Sequence, residues 1–185
     1  MEELELLKSC GLEVVPSLKI PEELGSVLKS FIKGQKIFLV LYGAPGTYKT
    51  TACKKLVYSI LKKKGINPYN AYFIKFYNLV DWLLQDEELE SLLKHTKLLV
   101  IDDLISLHLK ESILLKLFAI VDERYEKQRK TIFTTNHNLQ EFLNGPVSIF
   151  SRIASRLCDA NISMLYETQG AFRNTNTGTG GEELW

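Results

Sequence analysis

The chain has 185 residues and a formal net charge of +1, enough for one domain and a balance that neither demands nor forbids nucleic acid as a partner. Hydrophobic residues make up 45% and charged residues 24%, as is ordinary for a soluble globular protein. No apolar run reaches the ~18 residues that span a bilayer, and Met1-Glu2-Glu3 is acidic where a secretory signal is basic, so a cytoplasmic protein without a membrane partner is expected.

Residues 1–35 read as a short N-terminal helical segment, with helical pieces around Pro16 and Pro21 and no strong periodic stripe. The run Ile37-Phe38-Leu39-Val40-Leu41-Tyr42 is continuously apolar and ends at a glycine, as expected of a strand buried on both faces. Cys53, Leu56, Val57, Ile60 and Leu61 then recur at helical spacing, with Gly65 as a stop signal. Ala71 to Phe76 is a second strand. Leu79 to Leu93 reads as helix, broken or bent around Asp86-Glu87-Glu88.

Lys97-Leu98-Leu99-Val100-Ile101 is a third strand, ending in Asp102-Asp103. An amphipathic helix carries Ile113, Leu114, Leu117, Phe118, Val121 and Tyr125 on one face. Strand Thr131 to Thr135 stops at Asn136, a helix covers about 148–157, and a last strand runs from Ile162 to Tyr166. Alternating strands and helices predict an α/β fold, a parallel five-stranded sheet between two helical layers joined by right-handed crossovers. A core over 36–170 is expected, followed by a disordered tail over 171–185 that is rich in Asn, Thr and Gly.

The chemistry gathers at the strand ends. A triphosphate needs many donors at once, which a glycine-containing loop between strand and helix supplies through backbone N–H groups and the helix N-terminus. Gly43-Ala44-Pro45-Gly46-Thr47-Tyr48-Lys49-Thr50 occupies that place, with Thr51 in the first helical turn. Lys49 would reach the β- and γ-phosphates of ATP, and the Thr50 hydroxyl would complete a Mg²⁺ shell. The usual pattern has glycine before the lysine, and this chain has Tyr48. If the backbone there needs positive φ, a side chain costs about 1–2 kcal/mol. Three consequences stay open: a variant loop with the ring stacked outside, weaker nucleotide binding, or binding without efficient turnover.

Asp102 and Asp103 close an apolar strand, the first placed to hold Mg²⁺ and the second to orient an attacking water. Asn136, at the tip of the next strand, can report whether the γ-phosphate is intact. Arg152 and Arg156 lie four residues apart on one helical face, as either a finger reaching a neighbouring subunit or structural ion pairs. Lys54-Lys55 and Lys62-Lys63-Lys64 read as a solvated helix face. His95, His108 and His137 share no ligand spacing, and Cys10, Cys53 and Cys158 are three separated thiols without a CxxC pair, which excludes a zinc or disulfide framework.

Taken together, Leu98 to Leu104, Val121-Asp122-Glu123-Arg124-Tyr125-Glu126, Thr131 to Asn136 and Ser151-Arg152-Ile153-Ala154-Ser155-Arg156-Leu157 resemble bacterial replicative helicase loaders of the DnaC/DnaI type and the related IstB-type transposition ATPases. Phe73 to Leu84 is similar to their second strand and following helix, and the likeness covers about residues 36–166. The resemblance implies a three-layer P-loop NTPase of AAA+ type without a separate lid domain, and with the loaders' N-terminal helicase-binding domain missing or reduced to about 35 residues. It implies binding of ATP and Mg²⁺, contact with single-stranded DNA, a replicative helicase as partner, and self-assembly into a ring, spiral or filament. By that pattern Lys49 and Thr50 carry phosphate and metal, Asp102 the metal, Asp103 the water, Asn136 the sensor, and Arg156 the better finger candidate with Arg152 beside it. Three readings of the whole remain open: an ATPase switch for helicase loading, a transposition or recombination helper on duplex DNA, or a nucleotide-dependent interaction module with little turnover. A small-molecule kinase also uses such a loop, but the acid pair, Asn136 and the spaced arginines suit a ring or spiral ATPase better.

Overall fold

The computed structural model describes residues 2–14, 17–83, 86–104, 110–144 and 148–169; His108 and the tail expected to be disordered lie outside them. The elements run α1 (Glu2–Ser9), α2 (Glu22–Lys33), β1 (Phe38–Tyr42), α3 (Lys49–Lys64), β2 (Ala71–Lys75), α4 (Phe76–Trp82), α5 (Glu87–His95), β3 (Leu98–Asp102), α6 (Glu111–Glu126), β4 (Lys130–Thr134), a 3-10 turn (Leu139–Asn144), α7 (Ile149–Leu157) and β5 (Ser163–Glu167). The strands form one parallel sheet in the order β2-β3-β4-β1-β5.

Strand residues alternate between two cores, because successive side chains leave a strand on opposite faces. Phe38, Val40, Ile74, Ile101 and Phe133 point into a core built with α4, α5, α6 and α7. Leu39, Leu41, Phe73, Val100 and Ile132 point into a second core built with α1, α2 and α3. Burial on both faces is why the strands read as continuous apolar runs. Among the described residues no helix is long and apolar enough to cross a membrane.

Two stretches go beyond what the sequence left open or unseen. The acidic turn breaks its helix outright: Asp86 accepts a hydrogen bond from the Leu89 N–H at 2.9 Å and caps a new helix, α5. The N-terminal segment, in which no stripe was visible, buries Leu7, Cys10, Leu12, Leu24, Leu28 and Phe31 in the second core. Its chain also covers the edge of the sheet, where the Phe73 N–H donates to the Cys10 carbonyl at 3.1 Å. Gly11 makes that approach possible: at φ 79°, a Cβ there would sit 1.7 Å from the Phe73 carbonyl oxygen. The lysine clusters stay at the surface as expected for Lys62, which is exposed and pairs with Glu3 at 3.0 Å. Lys54 instead lies half-buried, its ammonium 5.3 Å from the Phe73 ring centroid.

Arg124 is the largest fully buried side chain. Its guanidinium donates to Thr131 Oγ1 at 2.7 Å and to the carbonyls of Leu93 at 2.7 Å, Thr96 at 2.9 Å and Lys130 at 2.6 Å. A single planar fork thus ties α6 to the end of α5 and the start of β4, at the end of the sheet away from Asp102. Burial, with Arg129 nearby, pushes its pKa down to about 9, so it still enters the core charged at neutral pH.

Candidate functional site

β1 delivers the chain to Gly43 at the C-terminal edge of the sheet, and α3 starts at Lys49, so its N-terminal N–H groups face the intervening loop. The Lys49 side chain is buried along the loop, its ammonium donating to the Gly43 carbonyl at 2.7 Å, the Ala44 carbonyl at 2.9 Å and Thr47 Oγ1 at 3.2 Å. Burial lowers its pKa, against the pull of Asp103 and Asp102. Ala44, Pro45 and Gly46 form the exposed crest of the loop, and Thr51 is buried in the first turn of α3.

Tyr48 adopts φ 65°, ψ 7°, the left-handed conformation that the usual glycine would take without cost. Of the three consequences left open, the variant loop with its ring stacked outside is not what the structure has. Tyr48 is half-buried and packs against the core formed by α1, α2 and α3. Apolar burial of the ring offsets the backbone strain, and the loop keeps the turn of a glycine-bearing loop.

Across from the loop, Asp102 ends β3 with 3% of its surface exposed. The Thr50 hydroxyl donates to its carboxylate, 2.9 Å from Oδ1 and 3.1 Å from Oδ2, joining two positions 52 residues apart. Thr134, on β4, donates to Oδ1 at 2.7 Å. Burial raises the Asp102 pKa, with Asp103 adding to the rise and the bonds from Thr134 and Thr50, and the Lys54 charge, opposing it. Asp103 turns out of the strand at φ 62°, its N–H donating to Thr134 Oγ1 at 2.8 Å, and its exposed carboxylate lies 3.5 Å from the Asn136 amide nitrogen. One hydroxyl, that of Thr134, therefore braces both acids. No motif in the sequence singles it out, because Thr131, Thr134 and Thr135 all fall in or beside β4 and only the fold shows which of them meets the acids.

Thr50 and Asp102 supply hard oxygen donors of the kind Mg²⁺ accepts alongside phosphate and water, and it needs only one or two protein carboxylates. The residues fit the ion.

The arginines separate. Arg156 Nη2 lies 2.5 Å from Asp122 Oδ1, and its guanidinium is 4.6 Å from the Phe118 ring and 5.8 Å from the Tyr125 ring. Arg152 also sits 4.6 Å from Phe118 but is exposed. Geometry thus makes Arg152 the more available of the two and gives Arg156 the structural pairing that the sequence left as its alternative role. His95 Nδ1 lies 2.7 Å from the Ser91 carbonyl on α5, and exposed His137 donates its backbone N–H to Thr135 Oγ1 at 3.2 Å. Cys10, Cys53 and Cys158 are free thiols. Thr168, just beyond β5, lies against the loop and belongs to no motif found in the sequence.

Five parallel strands in this order, with a lysine-bearing loop after β1 facing an acid pair after β3, define a P-loop NTPase fold of the AAA+ class. A match to the model of the IstB-like ATP binding proteins spans residues 18–150, and the chain belongs to that family. Comparison with curated protein sequences finds no match. Among solved structures, the DnaC helicase loader aligns with a TM-score of 0.66 at 18% identity, covering 89% of this chain and 99% of that one. DnaI aligns with a TM-score of 0.62 at 17% identity, covering 92% and 93%. AMPPCP-bound DnaA from Aquifex aeolicus aligns with a TM-score of 0.61 at 21% identity, covering 80% of this chain and 44% of DnaA. The chain thus spans under half the length of that initiator, and at these identities the likeness is one of fold.

Proposed function

We propose that residues 43–51 bind the phosphates of ATP, and that its hydrolysis switches an assembly of this chain that loads or remodels a replicative helicase on single-stranded DNA. The observation that carries the reading is the Thr50 hydroxyl set against both oxygens of buried Asp102, since that pair is what a nucleotide-bound Mg²⁺ requires. In this reading Lys49 draws the β- and γ-phosphates into the loop. Thr50 and Asp102 hold the metal, Asp103 orients the attacking water, and Asn136 contacts the γ-phosphate. Bound Mg²⁺ would neutralise charge on the phosphate oxygens. Arg152, exposed on α7, is the finger offered to a neighbouring subunit. A helicase is suggested by the fold of the DnaC helicase loader, which matches 89% of this chain and 99% of that one, and single-stranded DNA by the likeness, at a TM-score of 0.63, to the replication initiator DnaA bound to AMPPCP and single-stranded DNA. A core over 36–170 is part of the same proposal.

Two other readings have an observation behind them. Membership of the IstB-like family favours a transposition helper acting on duplex DNA. Engagement of Arg156 by Asp122, together with the short reach of Asp103, favours a nucleotide-dependent interaction module with little turnover.

One experiment separates them: ATPase rate alone, with single-stranded DNA and with duplex DNA, followed by size measurement with a non-hydrolysable ATP analogue. Stimulation by single strands with nucleotide-dependent assembly is expected. Stimulation by duplex alone selects the transposition reading, and a DNA-indifferent monomer removes both. Lys49→Ala is expected to weaken ATP binding more than about tenfold, and unchanged binding would overturn the cradle itself.

A further inference from the structure

We propose that Thr168 is a positioning residue of the phosphate loop, holding the Lys49 ammonium through Thr47. Thr168 follows β5 and is 6% exposed. It lies outside the family match over 18–150 and 117 residues or more from every loop residue in sequence, taking 168 minus 51. Yet its Oγ1 sits 2.7 Å from Thr47 Oγ1 and 3.0 Å from the Tyr42 carbonyl, and its N–H donates to that same carbonyl at 2.7 Å. Its carbonyl oxygen closes the floor under Gly43, where a Cβ would come within 2.7 Å of it.

Each hydroxyl has one proton to give, and that constraint orders the contacts. Lys49 Nζ donates to Thr47 Oγ1 at 3.2 Å. Thr47 can then donate to Thr168 at 2.7 Å, and Thr168 to the Tyr42 carbonyl at 3.0 Å. The Ala44 carbonyl, which lies 2.9 Å from the Thr47 hydroxyl, is still served by Lys49 at 2.9 Å. The result is a continuous donor chain from the ammonium, through two hydroxyls, to the last carbonyl of β1. Removing the Thr168 hydroxyl leaves Thr47 free to turn wholly toward Ala44 and frees the crest of the loop from β5. The loop is thus braced by a strand end that no loop motif includes, and a displacement of that end reaches the ammonium through Thr47.

The proposal rests on residues 43–51 being the phosphate cradle. Its test is binding of a fluorescent ATP analogue to the full chain carrying Thr168→Val, Thr168→Ser, Thr47→Val and the double valine variant, with Lys49→Ala as control. Valine keeps the shape of threonine without its hydroxyl, so Thr168→Val is expected to weaken binding about tenfold. Thr168→Ser restores the hydroxyl and is expected within about threefold of the parent. The double variant should bind no worse than about twofold beyond the weaker single one, since both break the same chain. Binding by Thr168→Val equal to the parent, serine as weak as valine, or losses that simply multiply in the double variant would each overturn the proposal. Should Thr168→Val not fold, Thr47→Val interrupts the chain from the loop side, and unchanged binding there overturns it equally. If Lys49→Ala binds normally, the cradle reading has failed instead.

Discussion

The two smallest side chains at position 48 isolate what the left-handed turn costs. Tyr48→Ala and Tyr48→Gly both delete a half-buried ring, so both lose its packing on the second core. Full burial of such a side chain contributes ~1.5–3 kcal/mol, and half of that is about 0.8–1.5. They differ in the backbone. At φ 65° alanine keeps its Cβ against the following carbonyl at ~1–2 kcal/mol, while glycine carries no such strain. Glycine's looser unfolded chain returns roughly 0.5–1 kcal/mol of that, and alanine is a poor residue at a helix N-cap. Tyr48→Gly should therefore stand about 1 kcal/mol above Tyr48→Ala, with the parent above both or level with glycine. Urea unfolding of the three proteins measures this through the midpoint at constant slope. A midpoint for alanine at or above that for glycine would refute the strain. Because the turn is already formed with tyrosine in place, ATP affinity of Tyr48→Gly should stay within about threefold of the parent.

Other perturbations follow from the same contacts. Arg124→Met strands four buried acceptors and should cost about 3–5 kcal/mol in denaturant unfolding; a loss under about 1 kcal/mol would mean that the fork is not holding α5, α6 and β4 together. Asp102, whose pKa is raised by burial, favours the fold while protonated, and that stability is present at acid pH and lost as pH rises through the raised value. Metal binding needs the carboxylate, so Mg²⁺-dependent ATP affinity should fall on acidification from a pH above the ordinary aspartate range. Thr134→Val, which removes a bond that lowers this pKa, should move the fall to still higher pH; coincident profiles for the two proteins would count against the Asp102 assignment. Arg156→Ala should cost about 1 kcal/mol through the lost Asp122 pair and ring contacts. Arg152→Ala should leave stability within about 0.5 kcal/mol yet lower turnover more in concentrated than in dilute protein, and an equal loss at both would argue against a finger reaching a neighbour.

The strands and the loop after β1 were legible because their signals are local. A strand buried on both faces must be apolar throughout, and a phosphate loop must place glycine, lysine and threonine at short fixed spacing. The acid pair was legible for the same reason, coming directly after Leu98 to Ile101. Tyr48 shows the limit of such reading: its departure from pattern was visible, but whether the ring turned outward or inward depended on a core assembled from α1, α2 and α3. The N-terminal segment was only half legible: α1 buries Leu7 alone, whereas α2 carries Leu24, Leu28 and Phe31 at i, i+4 and i+7, a helical stripe that was present in the sequence and was missed beside Pro16 and Pro21.

What the sequence determined by itself is thus the alternating α/β order, the loop from Gly43 to Thr51 between β1 and α3, and the acids that face it. Tertiary structure alone decided which threonines matter, since Thr134 and Thr168 act through hydrogen bonds spanning 32 and 121 residues. It also pairs Arg156 with Asp122, which reaches it only when α6 packs on α7. A hydrogen bond needs partners within about 3 Å and the right direction, and a linear sequence carries that information only for neighbours.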